Sequence, residues 1–235
     1  MSLTINPGVT IGAGISLSVP LPPPKSLSFN GTQGTQLDIL GTTTDWALGV
    51  NGTIEWWQKT AASSTFPGGW NGGIISQGGG AGQNNGIDIF QSGGMNTDIG
   101  GNTGAWPDPT PDVWTHIAVT LVPIGGGANA HVYFNGVEQT LTGGYSDSNL
   151  RNGSEILHIG CRIPNVPYQN WTGLLTNLHI NTQVLYTGNF TPAIRRGPVA
   201  GTVLLLDVSN PLVDLSASAH STTGTVVVVV DGPVV

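Results

Sequence analysis

From residue 25 onward the chain breaks into short runs of β-favouring residues, each closed by Gly, Asn, Asp or Pro, and no apolar repeat of helical period occurs. The runs are "SLSFNG", "GTIEWWQK", "GGIISQ", "NGIDIFQ", "VWTHIAVTLV", "AHVYFNGVEQTL", "SEILHIGC", "WTGLLTNLHI", "QVLY", "GTVLLLDV" and "TVVVVV". In "THIAVTLV" the set Ile117, Val119 and Leu121 alternates with His116, Ala118 and Thr120, giving one apolar and one more polar face. In "AHVYFNGVEQ" the pair Asn135-Gly136 signals a hairpin, since both residues accept positive φ. Many strands joined by such turns predict an all-β, two-sheet antiparallel sandwich rather than a parallel α/β fold.

The surface of such a sandwich must be built from Asn, Thr, Ser, Gln and Gly, because only 8% of the 235 residues are charged while 36 are glycine. Ordinary soluble domains carry roughly 25% charge. Disorder would need high charge and low hydrophobicity, and 38% of this chain is apolar, so a folded, turn-rich protein follows. Net charge is −7 with six Lys and Arg in all, which leaves no basic stripe for phosphates and excludes nucleic acid as a partner. The one basic pair, Arg195-Arg196, reads as a solvated loop or an ion-pair donor. A lone Cys161 excludes an internal disulfide and a Cys-rich zinc site. No run of some 18 apolar residues exists to form a membrane-spanning helix, and "GTVVVVVDGPVV" reads as a buried strand or an edge that something must cover. The opening stretch lacks the basic and apolar regions of a secretory signal, so the triplets beginning at Asn30, Asn51, Asn152, Asn170 and Asn189 carry little weight as glycosylation sites.

Three parts follow from the composition. Residues 1–24 form an arm, "LTINPGVTIGAGISLSV" followed by the stiff polyproline spacer "PLPPPK". Residues 25–210 form the sandwich, and residues 211–235 a β segment that completes a sheet or contacts a partner. A Gly/Pro-rich arm loses about 1–2 kcal/mol of backbone entropy per ordered residue, so it needs a surface to lie on.

The stretch "GTIEWWQKT" poses the sharpest question about surfaces. In a strand Ile54 and Trp56 share one face, and Thr53, Glu55 and Trp57 the other. Alternation therefore puts Trp56 in the core, and one of the two tryptophans must face a loop, the arm or a partner.

Taken in order, "SLSFNGTQGTQLDI", "GTIEWWQKT", "WTHIAVTL", "AHVYFNGVEQ", "LHIGC" and "WTGLLTNLHINTQVLYTGNFTPA" resemble the laminin G-like and pentraxin-like branch of the concanavalin A-like lectin/glucanase jelly rolls, over residues 25–208. The resemblance implies two curved antiparallel sheets. It aligns the family's tryptophan with Trp57, against the alternation, and a bulged strand would exchange the two readings. A narrower similarity, carried by "INPGVTIGAGISL" and by "WTGLLTNLHI…VLYTGNFTPA…GTVLLLDVSNPLVDLSASAH", is to structural proteins of marine tailed phages. It implies a virion surface location, other virion proteins and further copies of the chain as partners, and an arm used in assembly. An extracellular module is the alternative.

The chemistry points away from catalysis. Hydrolases of this fold carry a Glu-x-Asp-x-x-Glu cluster that supplies two carboxyl groups about 5 Å apart. Here Glu55, Glu138 and Glu155 stand in separate segments and Asp88 in "GIDIF" has no acid at i+2. The five histidines are scattered, and a cross-strand hydroxyl is the expected partner of each on a polar face. Calcium is the one cofactor the resemblance leaves open; Asp98, Asp108, Asp112 and Asp147 lie in loop-like segments without calcium-loop spacing, so none is assigned as a ligand. Sugar binding needs aromatic platforms flanked by polar side chains. Trp70 in "FPGGWNGG", Trp106 in "GAWPDP" and Tyr168 in "NVPYQNW" fit, as does Trp57, and each serves equally as a partner contact or as a plug at the end of the sandwich. The sequence thus predicts a non-enzymatic virion surface protein, with a lectin-like module recognising host glycan as the alternative.

Overall fold

The computed structural model describes residues 25–42, 45–46, 48, 50–62, 72–77, 86–91, 95–99, 102–125, 127–141, 156–163, 169–208 and 212–233. In chain order the strands are β1 (Ser26–Asn30), β2 (Leu37–Leu40), β3 (Gly52–Thr60), β4 (Gly72–Gln77), β5 (Ile87–Gln91), β6 (Met95–Ile99), β7 (Asn102–Trp106) and β8 (Thr115–Ile124). They continue with β9 (Gly127–Phe134), β10 (Val137–Gln139), β11 (Ile156–Ile159), β12 (Thr172–Asn181), β13 (Thr202–Asp207), β14 (Val213–Asp214), β15 (Ser221–Gly224) and β16 (Val227–Val229). The first sheet runs β10-β9-β8-β3-β12-β1-β16, with β13 and β14 branching from β12; the second runs β15-β2-β11-β4-β5-β6-β7. All these ladders are antiparallel, and the described residues form an all-β jelly-roll sandwich without a helix.

The core between the sheets collects the apolar phase of each strand: Leu27 and Phe29 from β1, Ile54 and Trp56 from β3, Ile117, Val119 and Leu121 from β8, with Ile87 and Ile89 from β5 and Leu157 and Ile159 from β11 facing them. β3 is continuous, so alternation decides the tryptophan question: Trp56 is fully buried and Trp57 faces the other way, half-buried. The bulge lies in the partner strand. Thr176 pairs Trp57 and His179 pairs Glu55, which leaves one extra residue on β12, and Asn177 takes a left-handed φ of 53° there. That extra residue resets the phase, so that Leu175, Leu178 and Ile180 all point inward while His179 turns outward.

Two of the predicted strands differ. Gln183–Tyr186, "QVLY", forms no strand; it crosses the outer face of the first sheet, where Thr53 Oγ1 donates to the Gln183 carbonyl and accepts from Leu185 N–H. Within "TVVVVV" only Val227–Val229 pair. Near the end of the described residues, β15 lies beside β2 in one sheet and β16 beside β1 in the other. Asp231 locks it, accepting from Lys59 Nζ and Trp114 Nε1, each at 2.9 Å, while its carbonyl accepts from Ser26 Oγ.

The Asn135-Gly136 hairpin between β9 and β10 forms as predicted, both residues at positive φ. It also holds the crossing segment, because Phe190 N–H donates to the Gly136 carbonyl. A Cβ on Gly136 would sit 1.7 Å from the Phe190 carbonyl oxygen. Gly136→Ala is expected to destabilise the chain by at least 1–2 kcal/mol, the cost of a left-handed L-residue alone, and to loosen the 186–196 segment; unchanged denaturation and unchanged protection of the Phe190 amide would refute this.

Candidate functional site

Two outward faces gather polar side chains. On the first sheet, Glu55 of β3 is buried, with side-chain exposure of 5%. His179 of β12 lies directly across from it and His116 of β8 lies diagonally, opposite Trp57, so the strand order β8-β3-β12 brings both rings to one carboxylate. His179 Nδ1 is 2.8 Å from Glu55 Oε1 and His116 Nε2 is 3.3 Å from Oε2. Above them the crossing segment contributes Tyr186, whose hydroxyl donates to Oε2 at 2.5 Å, and Arg196, whose Nε lies 2.9 Å from Oε1. Burial alone would raise the Glu55 pKa. The hydrogen bonds from His116, His179 and Tyr186 together with the Arg196 charge outweigh it and hold the carboxyl well below the usual carboxylate range. His179 Nε2 also meets Thr202 Oγ1 at 2.9 Å, but the expectation of hydroxyl partners does not hold for the histidines. Each of the five faces a carboxylate, Glu55 for His116 and His179, Glu138 for His131, Asp38 for His158 and Asp214 for His220, because the strand order sets acids beside them.

The same segment lays an aromatic layer over this sheet. Tyr186 and Phe190 stack with centroids 3.5 Å apart, and Phe190 meets Tyr133 and His116 edge-on. Together with Ala118 and Leu185 they form a second small core outside the first sheet. Trp57 joins it edge-on to His116 and donates Nε1–H to the Ala193 carbonyl at 3.1 Å. Trp57 therefore faces a loop, and its indole is committed to holding that loop. The cluster is a buried anchor in which His116, His179, Tyr186 and Arg196 all turn a polar group toward one carboxylate, a geometry that holds a segment down.

The outer face of the second sheet is different. Direct cross-strand register sets Thr223, Asp38, His158, Ser76 and Asp88 in one row across β15, β2, β11, β4 and β5, and the backbone register continues it to Asp98 and Thr103 on β6 and β7. His158 Nδ1 lies 2.7 Å from Asp38 Oδ1, to which Gln36 Nε2 also donates. Arg162 Nε donates to Asp88 Oδ2 at 2.6 Å while its guanidinium lies 4.2 Å over the Phe90 ring. Ser76 Oγ donates to the Arg162 carbonyl. Cys161 Sγ donates to Gln36 Oε1; burial and the Asp38 charge push its pKa up to about 12, which keeps the thiol protonated at neutral pH.

One end of this face is drawn together by backbone. Gly73 and Arg162 N–H groups both donate to the Gln169 carbonyl, and a Cβ on Gly73 would sit 2.3 Å from Arg162 N, so only glycine fits where the chains meet. Gly73 is also opposite Phe90 in register. The Gln169 side-chain oxygen is buried without a hydrogen-bond partner.

Of the residues proposed for contact, Trp70 and Tyr168 lie outside the described residues; in the sequence Trp70 stands shortly before Gly73 and Tyr168 immediately before Gln169. Trp106 is not a platform. It is 3% exposed, opposite Met95, and belongs to the core, which is the plug expected of a tryptophan at the end of a sandwich. Among the described residues no set of three His, Cys, Asp or Glu side chains is arranged to hold a metal ion, and the Arg196 guanidinium occupies the place a cation would take beside Glu55. The Glu55 cluster itself escaped the sequence reading. Its signal was a glutamate on the polar face of one strand and histidines on two others, and only the strand order joins them.

The family model for the concanavalin A-like lectin/glucanases superfamily, in its laminin G form, matches residues 29–187. The chain belongs to that superfamily. The β1-to-β12 frame with both faces just described is therefore the superfamily's sandwich. A solved structure from Bacteroides ovatus ATCC 8483, described as carbohydrate binding, superposes with a TM-score of 0.63 at 14% identity over 89% of this chain and 60% of that one. This superfamily member thus spans 60% of that neighbour's length. A heptameric SAP-like pentraxin from Limulus polyphemus superposes at 0.50 with 16% identity, over 87% of this chain and 94% of that one. No curated protein sequence matches the chain.

Proposed function

We propose that the chain is a non-catalytic carbohydrate-binding module that presents one end of its second sheet to glycan. The observation that carries this reading is the convergence of Gly73, Phe90, Arg162 and Gln169 at one sheet end, with Trp70 and Tyr168 close to Gly73 and Gln169 in the sequence. A pyranose has an apolar face that stacks on an aromatic ring and a hydroxyl rim that takes hydrogen bonds from amides and charged groups. Phe90 is buried beneath Arg162, so the stacking rings of this reading are Trp70 and Tyr168. Superfamily membership and the carbohydrate-binding fold neighbour support the same class of ligand. Absence of catalysis is supported by the state of the acids: Glu55 is engaged by four side chains, Asp88 by Arg162 and Asp231 by Lys59.

The test is a panel of neutral and acidic glycans against the full-length protein, followed by tryptophan fluorescence. Binding by the wild type, reduced about tenfold or more by Trp70→Ala or Tyr168→Ala with unchanged melting, is the expected result; tenfold corresponds to about 1.4 kcal/mol. A wild type that binds nothing on the panel, or variants that bind as well as it does, would overturn the reading. Display on a virion surface with other virion proteins, and calcium as a loop ligand, rest on the sequence resemblances.

A further inference from the structure

The first sheet ends in an apolar edge. No described strand pairs the far side of β16, and the run Val226–Val230 carries no charge, proline or bulge to blunt it. Val227 is 61% exposed, Val228 40% and Val230 67%. Val228 is opposite Leu27, at the rim of the core, while Val227 points to the other face, so the edge is apolar on both sides. Unprotected edges of this composition add strands from other chains.

The arm has the matching pattern. Val9, Ile11, Ala13, Ile15, Leu17 and Val19 alternate with Thr, Gly and Ser, a period of two over eleven residues, and residues 1–24 contain no charged side chain. Extended, those eleven residues would reach about 36 Å, well beyond the length of β16. The arm enters the fold at Lys25, next to the first residue of β1, the strand that β16 already pairs. A chain's own arm would have to reverse before Lys25, and proline-rich sequence such as "PLPPP" favours an extended geometry of about 3.1 Å per residue over a tight return.

We propose that the arm of a second copy of this chain, through residues 9–19, adds a strand to the open edge of β16. Backbone hydrogen bonds supply the attachment, and the alternating apolar residues of the arm cover the exposed valines. The spacer sets the distance between the two sandwiches.

The experiment uses the full chain in three forms: wild type, Val227→Lys on the edge and Ile15→Lys on the arm. Sedimentation velocity across a hundredfold range of concentration reads assembly, and hydrogen exchange reads the β16 amides. Val227 is exposed, so thermal unfolding of Val227→Lys at the wild-type midpoint shows that the sandwich is intact. The expected result is a wild type that assembles with concentration and protects β16 amides as it does so, with both variants monomeric and the same amides exchanging at least tenfold faster. A monomeric wild type at every concentration overturns the proposal, including the case where its edge is protected, since that protection would come from its own arm. Assembly that survives both substitutions also overturns it. Glycan binding is read separately, so its failure leaves this outcome distinct.

Discussion

Replacing Glu55 by glutamine is expected to destabilise the folded chain by about 3–5 kcal/mol, the range for breaking a buried ion cluster by removing one partner. The carboxylate is the common acceptor for His116, His179, Tyr186 and Arg196, so its loss strands a guanidinium and three polar groups under the crossing segment. Denaturant unfolding followed at two wavelengths checks it; a loss under 1 kcal/mol would show that the cluster is incidental. Glu55→Met combined with Arg196→Met is expected to recover part of the loss, because no charge is then left buried. The pH dependence follows the same group. Its folded pKa is depressed below the ordinary value of 4.5, so its contribution is complete above that value and is lost as pH falls below it. Asp214 and Asp231 are depressed as well, by hydrogen bonds that outweigh their burial, and they steepen the acid limb. Glu55→Gln should flatten the stability curve below about pH 4.5; equal slopes for variant and wild type would refute this.

Trp56→Ala is expected to cost about 3–5 kcal/mol, the range for emptying a large aromatic from a core, against about 1 kcal/mol for Trp57→Ala, whose loss is mainly an edge-on ring contact. Trp56 is fully buried and its Nε1 donates to Gln58 Oε1 at 2.7 Å, so truncation leaves both a cavity and an unpartnered amide oxygen. Trp57 gives up the Ala193 carbonyl, which water can reach. Denaturation midpoints of the two variants decide it. A larger loss at Trp57 would place β3 in the opposite phase.

The contrast between these neighbours shows what was readable. Period-two alternation in "GTIEWWQKT" identified the core face, and the Asn135-Gly136 dipeptide identified the hairpin, because both signals are local. The resemblance placed the tryptophan at the other position, and the continuous β3 ladder shows why alternation prevailed: the irregular residue sits across the ladder at Asn177. "WTGLLTNLHI" carries a trace of it in the odd step from Leu175 to Leu178. "QVLY" has strand composition but spends it on covering Glu55, and composition cannot distinguish a strand from a cover. β6 and β7, "MNTDI" and "NTGAW", are too polar and Gly-rich to stand out, and they form because β5 offers an edge. The Glu55 cluster and the row from Asp38 to Asp88 depend on which strands are neighbours, information held in long-range pairing alone.

The clip at Asp231 has a consequence for how the protein is made. Ser26 and Asp231 lie 205 positions apart, yet β1 has its outer neighbour only when β16 arrives. On the ribosome, the first described strand waits for the last described one. Both sheets stay open at that side until residues 221–229 are synthesised, since β2 likewise waits for β15. Such late closure raises the contact order and slows folding, and it leaves two bare strand margins on the nascent chain. Synthesis of β15 and β16, rather than emergence of the apolar core, is the event that lets the sandwich shut.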